Sequence, residues 1–194
     1  MNAGQQVPLP SCPHCGVARP VMNKLSSVQT FDYEGRNPRS WATYGCSSCG
    51  GAVLASCTPA AQIIEMWPKP RLVHESVPDT PREYLSQALQ SGNAPAGAIM
   101  LAASSIDAML KDKGYKDGNL NSRIKLAAED NLITEEMAAW AHDVRLDAND
   151  QRHADEGASL PTPAEAEKTI EFASALAQFL YVLPAMVTRG RKSY

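Results

Sequence analysis

The chain has 194 residues, of which 44% are hydrophobic and 20% charged, and its net charge is −3 at pH 7. This is the balance of a folded globular protein with room for one ordinary domain and a small one, which excludes a disordered or fibrous chain. No apolar run approaches the roughly 18 residues that span a bilayer, and residues 1–11 lack the basic start and apolar centre of a secretion signal, so no membrane partner is expected. Charge is divided unevenly: residues 1–70 hold five Lys/Arg against three Asp/Glu, and 71–194 hold thirteen against eighteen. The acidic back half excludes a broad duplex-binding face there.

Residues 1–11 read as a flexible tail. Behind them stand two matched hooks, Cys12-Pro-His-Cys15-Gly16 and Cys46-Ser-Ser-Cys49-Gly50. In a reducing cytosol such pairs bind metal rather than form disulfides, and the expected location is therefore cytoplasmic. The glycine after each second cysteine relieves a tight turn whose backbone N–H groups aim at sulfur. Residues 12–67 are expected to form a zinc ribbon around one structural zinc ion. Cys12, Cys15, Cys46 and Cys49 close its tetrahedron and leave no position for substrate. Strand-like pieces cover 28–33, 40–46, 51–56 and 63–67, with a turn at 35–38. His14 sits inside a hook as a bystander. Cys57 reads as a small buried apolar group, with a reactive thiol as the alternative. Phe31, Tyr33, Trp41 and Tyr44 either fill a thin core or make a base-stacking face. The core reading is favoured, because large aromatics dominate burial.

Pro68, Pro70 and Pro78 punctuate an extended linker over 68–80. Helices then follow one another across 81–187, and a basic tail occupies 188–194. The first helix covers 81–90 behind the capping box Thr80-Pro81-Arg82-Glu83. The second runs over 94–113 and stops at Gly114. The third spans about 119–130. The fourth opens at Thr134, with Glu135 and Glu136 where the helix dipole favours acids, and reaches His153. The fifth starts at a second box, Thr162-Pro163-Ala164-Glu165, and runs to 182, where Pro184 kinks or ends it. Short connections make neighbouring helices antiparallel.

On the fourth helix, Met137, Trp140, Ala141, Val144 and Ala148 form the core face. His142, Arg145, Asn149 and His153 recur three or four residues apart and stack into one polar stripe, bordered by Arg152. Asp143, Asp147 and Asp150 lie on the solvated side.

The Arg-x3-Asn-x3-His pattern of Arg145, Asn149 and His153 is followed by Thr162-Pro-Ala-Glu-Ala166 and Phe179-Leu-Tyr-Val-Leu-Pro184. Behind a zinc ribbon and a Pro-rich linker, this resembles the domain-of-unknown-function 4145 family. That family is similar to the HEPN superfamily (higher eukaryotes and prokaryotes nucleotide-binding). The resemblance covers about 12–187. It implies a mainly α fold in which the small N-terminal β zinc ribbon is followed by a five-helix HEPN-like bundle. It also implies a homodimer through the fourth-helix region, where two copies of an Arg–His motif build a metal-independent endoribonuclease site. A role in prokaryotic phage defence, with RNA and a defence-system protein as partners, belongs to the same implication.

Two readings of the stripe follow. In one, His153 takes a 2′-hydroxyl proton, Arg145 holds the phosphate and Asn149 orients the histidine, supported by Arg152 and His142. In the other, Arg145 pairs with an acid such as Asp107, Asn149 caps a turn and His153 rests at a helix C-terminus. The first describes an RNA-engaging nuclease. The second describes a non-catalytic adaptor that dimerises and binds or regulates a protein partner. Neither needs a cofactor beyond zinc.

Overall fold

The structure, a computed structural model, describes residues 2–91, 93–152 and 160–192, without the side chains of 144–152. The chain divides into two units, Met1–Arg71 and Leu72–Tyr194.

The first unit is an antiparallel meander whose strands neighbour one another in chain order: β1 Gln6–Pro8, β2 Val21–Thr30, β3 Arg39–Cys46, β4 Ala52–Cys57 and β5 Ile63–Trp67. The period of two decides what is buried. Ala42, Tyr44 and Cys46 of β3 face inward, and so do Val53, Ala55 and Cys57 of β4. Tyr44 stands opposite Val53 and Ala42 opposite Ala55. Met22, opposite Cys46, and Val7, opposite Met22, complete this core.

Three expectations are corrected here. Residues 1–11 are not a tail, because β1 pairs with β2 and Val7 is only 1% exposed. Second, β2 begins at Val21 and stops at Thr30, instead of spanning 28–33; a register shift between Lys24 and Ser26 breaks its alternation and hides the strand from a period-two reading. Third, of the four aromatics assigned to the core only Tyr44 is buried. Phe31 and Tyr33 are exposed, and Trp41 is half-buried on the opposite face. Cys57 is buried, as expected of a small apolar group.

The second unit is helical: α1 Asp79–Gln90, α2 Pro95–Asp112, α3 Leu120–Glu129, α4 Glu135–Arg152, α5 Pro163–Ala177 and α6 Leu183–Lys192. A π-helical turn, Gln178–Val182, joins α5 to α6. Together with the five-strand sheet, these helices make the fold a mixture of α and β in separate units, and "mainly α" is too narrow a description.

The α2 helix is the hub, packed against α1, α3, α4 and α5. Ala98, Ile99, Ala102, Ala103, Ile106 and Met109 are all buried along it. Its small residues let neighbours approach closely, and Ser105 Oγ donates to the Pro81 carbonyl of α1 at 2.8 Å. Phe172 of α5 meets Trp140 of α4 edge-on, with ring centroids 5.0 Å apart. Val73 and Val77, expected in the linker, already belong to this core.

The two capping boxes part company. Thr162 Oγ1 accepts the Glu165 N–H at 3.3 Å, and the Glu165 carboxylate accepts the Thr162 N–H at 2.6 Å, which closes the box before α5. The same motif at Thr80 makes no box. The helix starts two residues earlier, at Asp79 behind Pro78, with no side-chain cap. Glu83 instead accepts from Gln87 at 2.8 Å, and Arg82 pairs with Asp79.

Pro184 does not end the last helix, and 188–194 is not a separate tail up to Lys192. In the widened π turn, the Leu183 N–H reaches the Gln178 carbonyl five residues back. That accommodates a proline which can neither donate nor pass the usual i−4 carbonyl. Pro163–Lys192 is consequently one continuous helix of 30 residues, long and apolar enough by composition to cross a membrane. Its apolar inner face, including Ile170, Phe172, Ala173 and Leu176, is however buried in the helical core.

Arg123 of α3 locks the α2–α3 connection. Its guanidinium donates to Asp107 at 2.6 Å, to the Gly118 carbonyl at 2.6 Å and to the Lys116 carbonyl at 3.1 Å. Its side chain is 9% exposed, against 48% for Lys111, the second cation on Asp107. Arg123→Ala should destabilise the helical unit by about 1–3 kcal/mol, because it removes a buried guanidinium with three hydrogen bonds and its packing. Lys111→Ala should cost under about 1 kcal/mol. Urea unfolding followed by helical circular dichroism checks the contrast, and equal costs would contradict the clamp.

Candidate functional site

The cysteine hooks close on one another. The four sulfurs of Cys12, Cys15, Cys46 and Cys49 all lie within 4.8 Å of one another. Cys12 Sγ and Cys49 Sγ are 3.9 Å apart. A tetrahedral ion with metal–sulfur bonds of about 2.3 Å needs sulfur–sulfur edges near 3.8 Å, so the donor set fits a metal ion.

The two hooks have matched turns. Gly16 N–H donates to the Cys12 carbonyl at 2.9 Å, and Gly50 N–H to the Cys46 carbonyl at 2.8 Å. Both glycines have φ near +70° (71° and 73°), the conformation the C-x-x-C-G motif requires. Backbone N–H groups point at sulfur in each: His14 N at 3.4 Å from Cys12 Sγ, and Gly51 N at 3.4 Å from Cys49 Sγ. Such donors stabilise thiolates and orient them for the ion.

Burial raises the Cys12 thiol, and it pushes Cys15 up to about 12, aided by the neighbouring Cys49 and Cys12. At Cys46 burial acts in the same direction but is outweighed by the N–H groups of Cys49 and Ser48 and by hydrogen bonds from Cys12 and Cys49. The result is a fall to about 7. Cys12 and Cys15 therefore hold protons at neutral pH until an ion displaces them. Apparent metal affinity should rise steeply from about pH 6 to about pH 8, with proton uptake on metal loss.

The sequence reading missed one part of this site. His14 is no ligand, but its ring nitrogen Nε2 lies 2.8 Å from the Ala52 carbonyl, joining the first hook to the second. A Cβ added to Gly51 would come within 2.5 Å of the His14 ring. The sequence signal was the doubled glycine after the second hook, where one suffices for the turn.

The fourth-helix residues divide. His153 lies outside the described residues, as do the side chains of Arg145, Asn149 and Arg152. His142 is exposed, in a shallow groove of about 370 Å³ shared with Asn121, Lys125, Glu129 and Glu135. Ala141 is buried, and Met137 and Trp140 pack against the core, so the described part of the core face has the expected phase. Asp143 is exposed, 3.9 Å from Lys168. Asp107, suggested as an anchor for Arg145, is held by Arg123 and Lys111, each at 2.6 Å.

A sheet unit bearing a cluster of four cysteines that fits a metal ion, followed by a helical unit, defines the class. The family model described as Domain of unknown function (DUF4145) matches residues 84–192, and the chain belongs to that family. The match covers most of the helical unit and none of the four cysteines. No curated protein and no solved structure matches the chain.

Gly51→Ala should weaken metal binding by about 1–3 kcal/mol, because the new methyl overpacks against His14. The pair His14→Ala with Gly51→Ala should recover part of the loss. Competition against a chromophoric chelator measures both, and an unaffected Gly51→Ala would remove His14 from the site.

Proposed function

We propose that this chain is a cytoplasmic, defence-associated protein that engages RNA and cuts it at a site on α4 completed by a second copy of the chain. The helical unit is read as a HEPN-like bundle and the metal as a structural zinc ion. Zinc is favoured by four thiolates with tetrahedral edge lengths, a set that matches zinc's preference and leaves no open coordination position.

The observation that carries the cleavage reading is the unbroken course of α4 from Glu135 to Arg152 in a family member. Arg145, Asn149 and Arg152 thereby fall one and two turns apart on a single helix. His153 follows directly in sequence. In the proposed reaction, the His153 imidazole takes the proton of a ribose 2′-hydroxyl. The resulting alkoxide attacks the adjacent phosphorus and forms a 2′,3′-cyclic phosphate. Arg145 holds the equatorial oxygens through its two-pronged guanidinium, and Asn149 orients the imidazole. The 5′-oxygen leaves with a proton donated by His153 of the second copy acting as general acid.

One observation favours a second reading. Leu183, Met186 and Val187 of α6 are 51%, 54% and 61% exposed, an apolar row that a non-catalytic adaptor would use to hold a protein partner. The two readings separate by mutation. Arg145→Ala and His153→Ala should each lower cleavage of single-stranded RNA by at least about 100-fold, with 2′,3′-cyclic phosphate ends in the remaining product and an unchanged dimer mass. If both variants cleave like the parent, the site is elsewhere. If the parent cleaves nothing and Leu183→Glu with Met186→Glu abolishes partner capture, the adaptor reading stands.

A further inference from the structure

The sheet of the first unit leaves its two tryptophans outside while burying Tyr44 within. Small units are short of apolar core, so two large indoles on the solvent face of a thin sheet require a reason. Trp41 of β3 and Trp67 of β5 meet on this face across β4, with ring centroids 6.1 Å apart and planes tilted by 44°. Trp67 stands opposite Leu54, and Trp41 opposite Val28 and Ser56. Val28 is 59% and Trp67 39% exposed.

Trp41 is held in place, because its Nε1–H donates to Thr30 Oγ1 at 2.9 Å. That bond satisfies the ring's single polar atom and fixes its orientation, leaving the ring face as the contact surface. Arg39, exposed, lies two residues from Trp41 on β3 and so shares its face. Lys69, just past β5, pairs with Glu65 at 2.6 Å and brings a second cation to the Trp67 side. Hydroxyls share the face by register: Thr30 opposite Arg39, Ser56 opposite Trp41, and Thr43 two residues beyond Trp41. Residues 1–70 are the basic part of the chain, with five Lys/Arg against three Asp/Glu.

Flat, part-exposed indole faces beside a cation are the arrangement that base stacking with phosphate contact uses. The centre of the face is two indoles with Val28 and Leu54 beside them, the surroundings carry hydroxyls, and Arg39 and Lys69 stand against one acid, Glu65, opposite Ser56. We propose that this outer face is a binding platform for single-stranded nucleic acid, with bases stacked on Trp41 and Trp67 and phosphates met by Arg39 and Lys69. The platform belongs to the sheet and is independent of the α4 site. A chain that binds single strands but cuts nothing sustains the platform and overturns the nuclease.

The test uses the full metal-loaded chain with labelled oligouridylate and oligothymidylate of about 12 nucleotides and a duplex of the same length, in low salt. Fluorescence anisotropy and quenching of tryptophan emission are read together. Both single strands should bind, and the duplex should bind at least about tenfold more weakly. Binding of the ribose strand alone would assign the platform to RNA, and of the deoxyribose strand alone to DNA. Trp41→Ala and Trp67→Ala should each weaken binding about tenfold or more, whereas Trp41→Phe should stay within a few-fold. Arg39→Gln should lower the slope of log affinity against log salt by about one. Retained metal and an unchanged circular dichroism spectrum certify each variant. Should Trp41→Ala lose its metal, Trp67→Ala and Arg39→Gln decide. The proposal is overturned if the parent binds neither strand up to roughly 100 µM, or if metal-retaining tryptophan variants bind as the parent does. Either result would give the face to a protein partner instead.

Discussion

Four sulfur atoms gathered within 4.8 Å are the constraint from which the first unit is built. Cys12 and Cys15 come from the segment after β1, Cys46 from the end of β3 and Cys49 from the turn that follows it. An ion held between them would tie together stretches of chain some thirty residues apart in sequence. The core inside the sheet is small, composed of side chains such as Val7, Met22, Tyr44 and Val53. A core of that size stabilises a fold only marginally without a cross-link, and a four-thiolate ion supplies one. The hooks also set the phase of β3. Cys46 faces inward to join the other three sulfurs, so Tyr44 and Ala42 face inward with it, and Trp41 and Arg39 face out.

The helical unit relies on burial instead. Its hub α2 is lined with alanines and branched aliphatics, and the neighbouring helices close on it without any metal ligand among the described residues. Local chemistry trims the ends. Asn119 and Ser122 cap α3 reciprocally, and Tyr181 donates to Asp112 at 2.9 Å, locking the π turn to the end of α2. Burial raises the Tyr181 pKa, and the Asp112 carboxylate adds to the rise, so the phenol stays protonated as a donor. Lys113 lies over the same ring at 4.0 Å. The widened turn therefore has partners on two sides, which explains how Pro184 is carried inside a continuous helix.

Much of this was legible in the sequence where the chemistry is local. The C-x-x-C-G hooks, their left-handed glycines and the Thr162–Glu165 box depend on residues a few positions apart, and each sits as expected. The order of helices followed from periodicity and breakers. What failed needed non-local information. The short β1 is masked by Pro8 and Pro10, and its pairing with β2 cannot be read from three residues. The register shift in β2 erased the alternation that would have extended it back to Val21. The Thr80 motif has the right letters for a box, but the helix starts ahead of it at Asp79. Trp41 and Tyr44 were grouped together although an odd spacing places two strand residues on opposite faces. That signal was in the sequence. The polar stripe on α4 was legible as a pattern, but the chemistry proposed for it needs a second copy of the chain, which periodicity on one helix does not specify.

In the proposed account a metal ion holds the sheet, the outer face of the sheet captures single-stranded nucleic acid, and the helical unit stands without the ion. The most direct measurement strips the metal from the full chain with a chelator and follows oligonucleotide binding alongside helical circular dichroism. The account predicts that binding is lost, that most helical signal persists, and that added zinc restores binding. A stripped chain that still binds the oligonucleotide with unchanged affinity would contradict it.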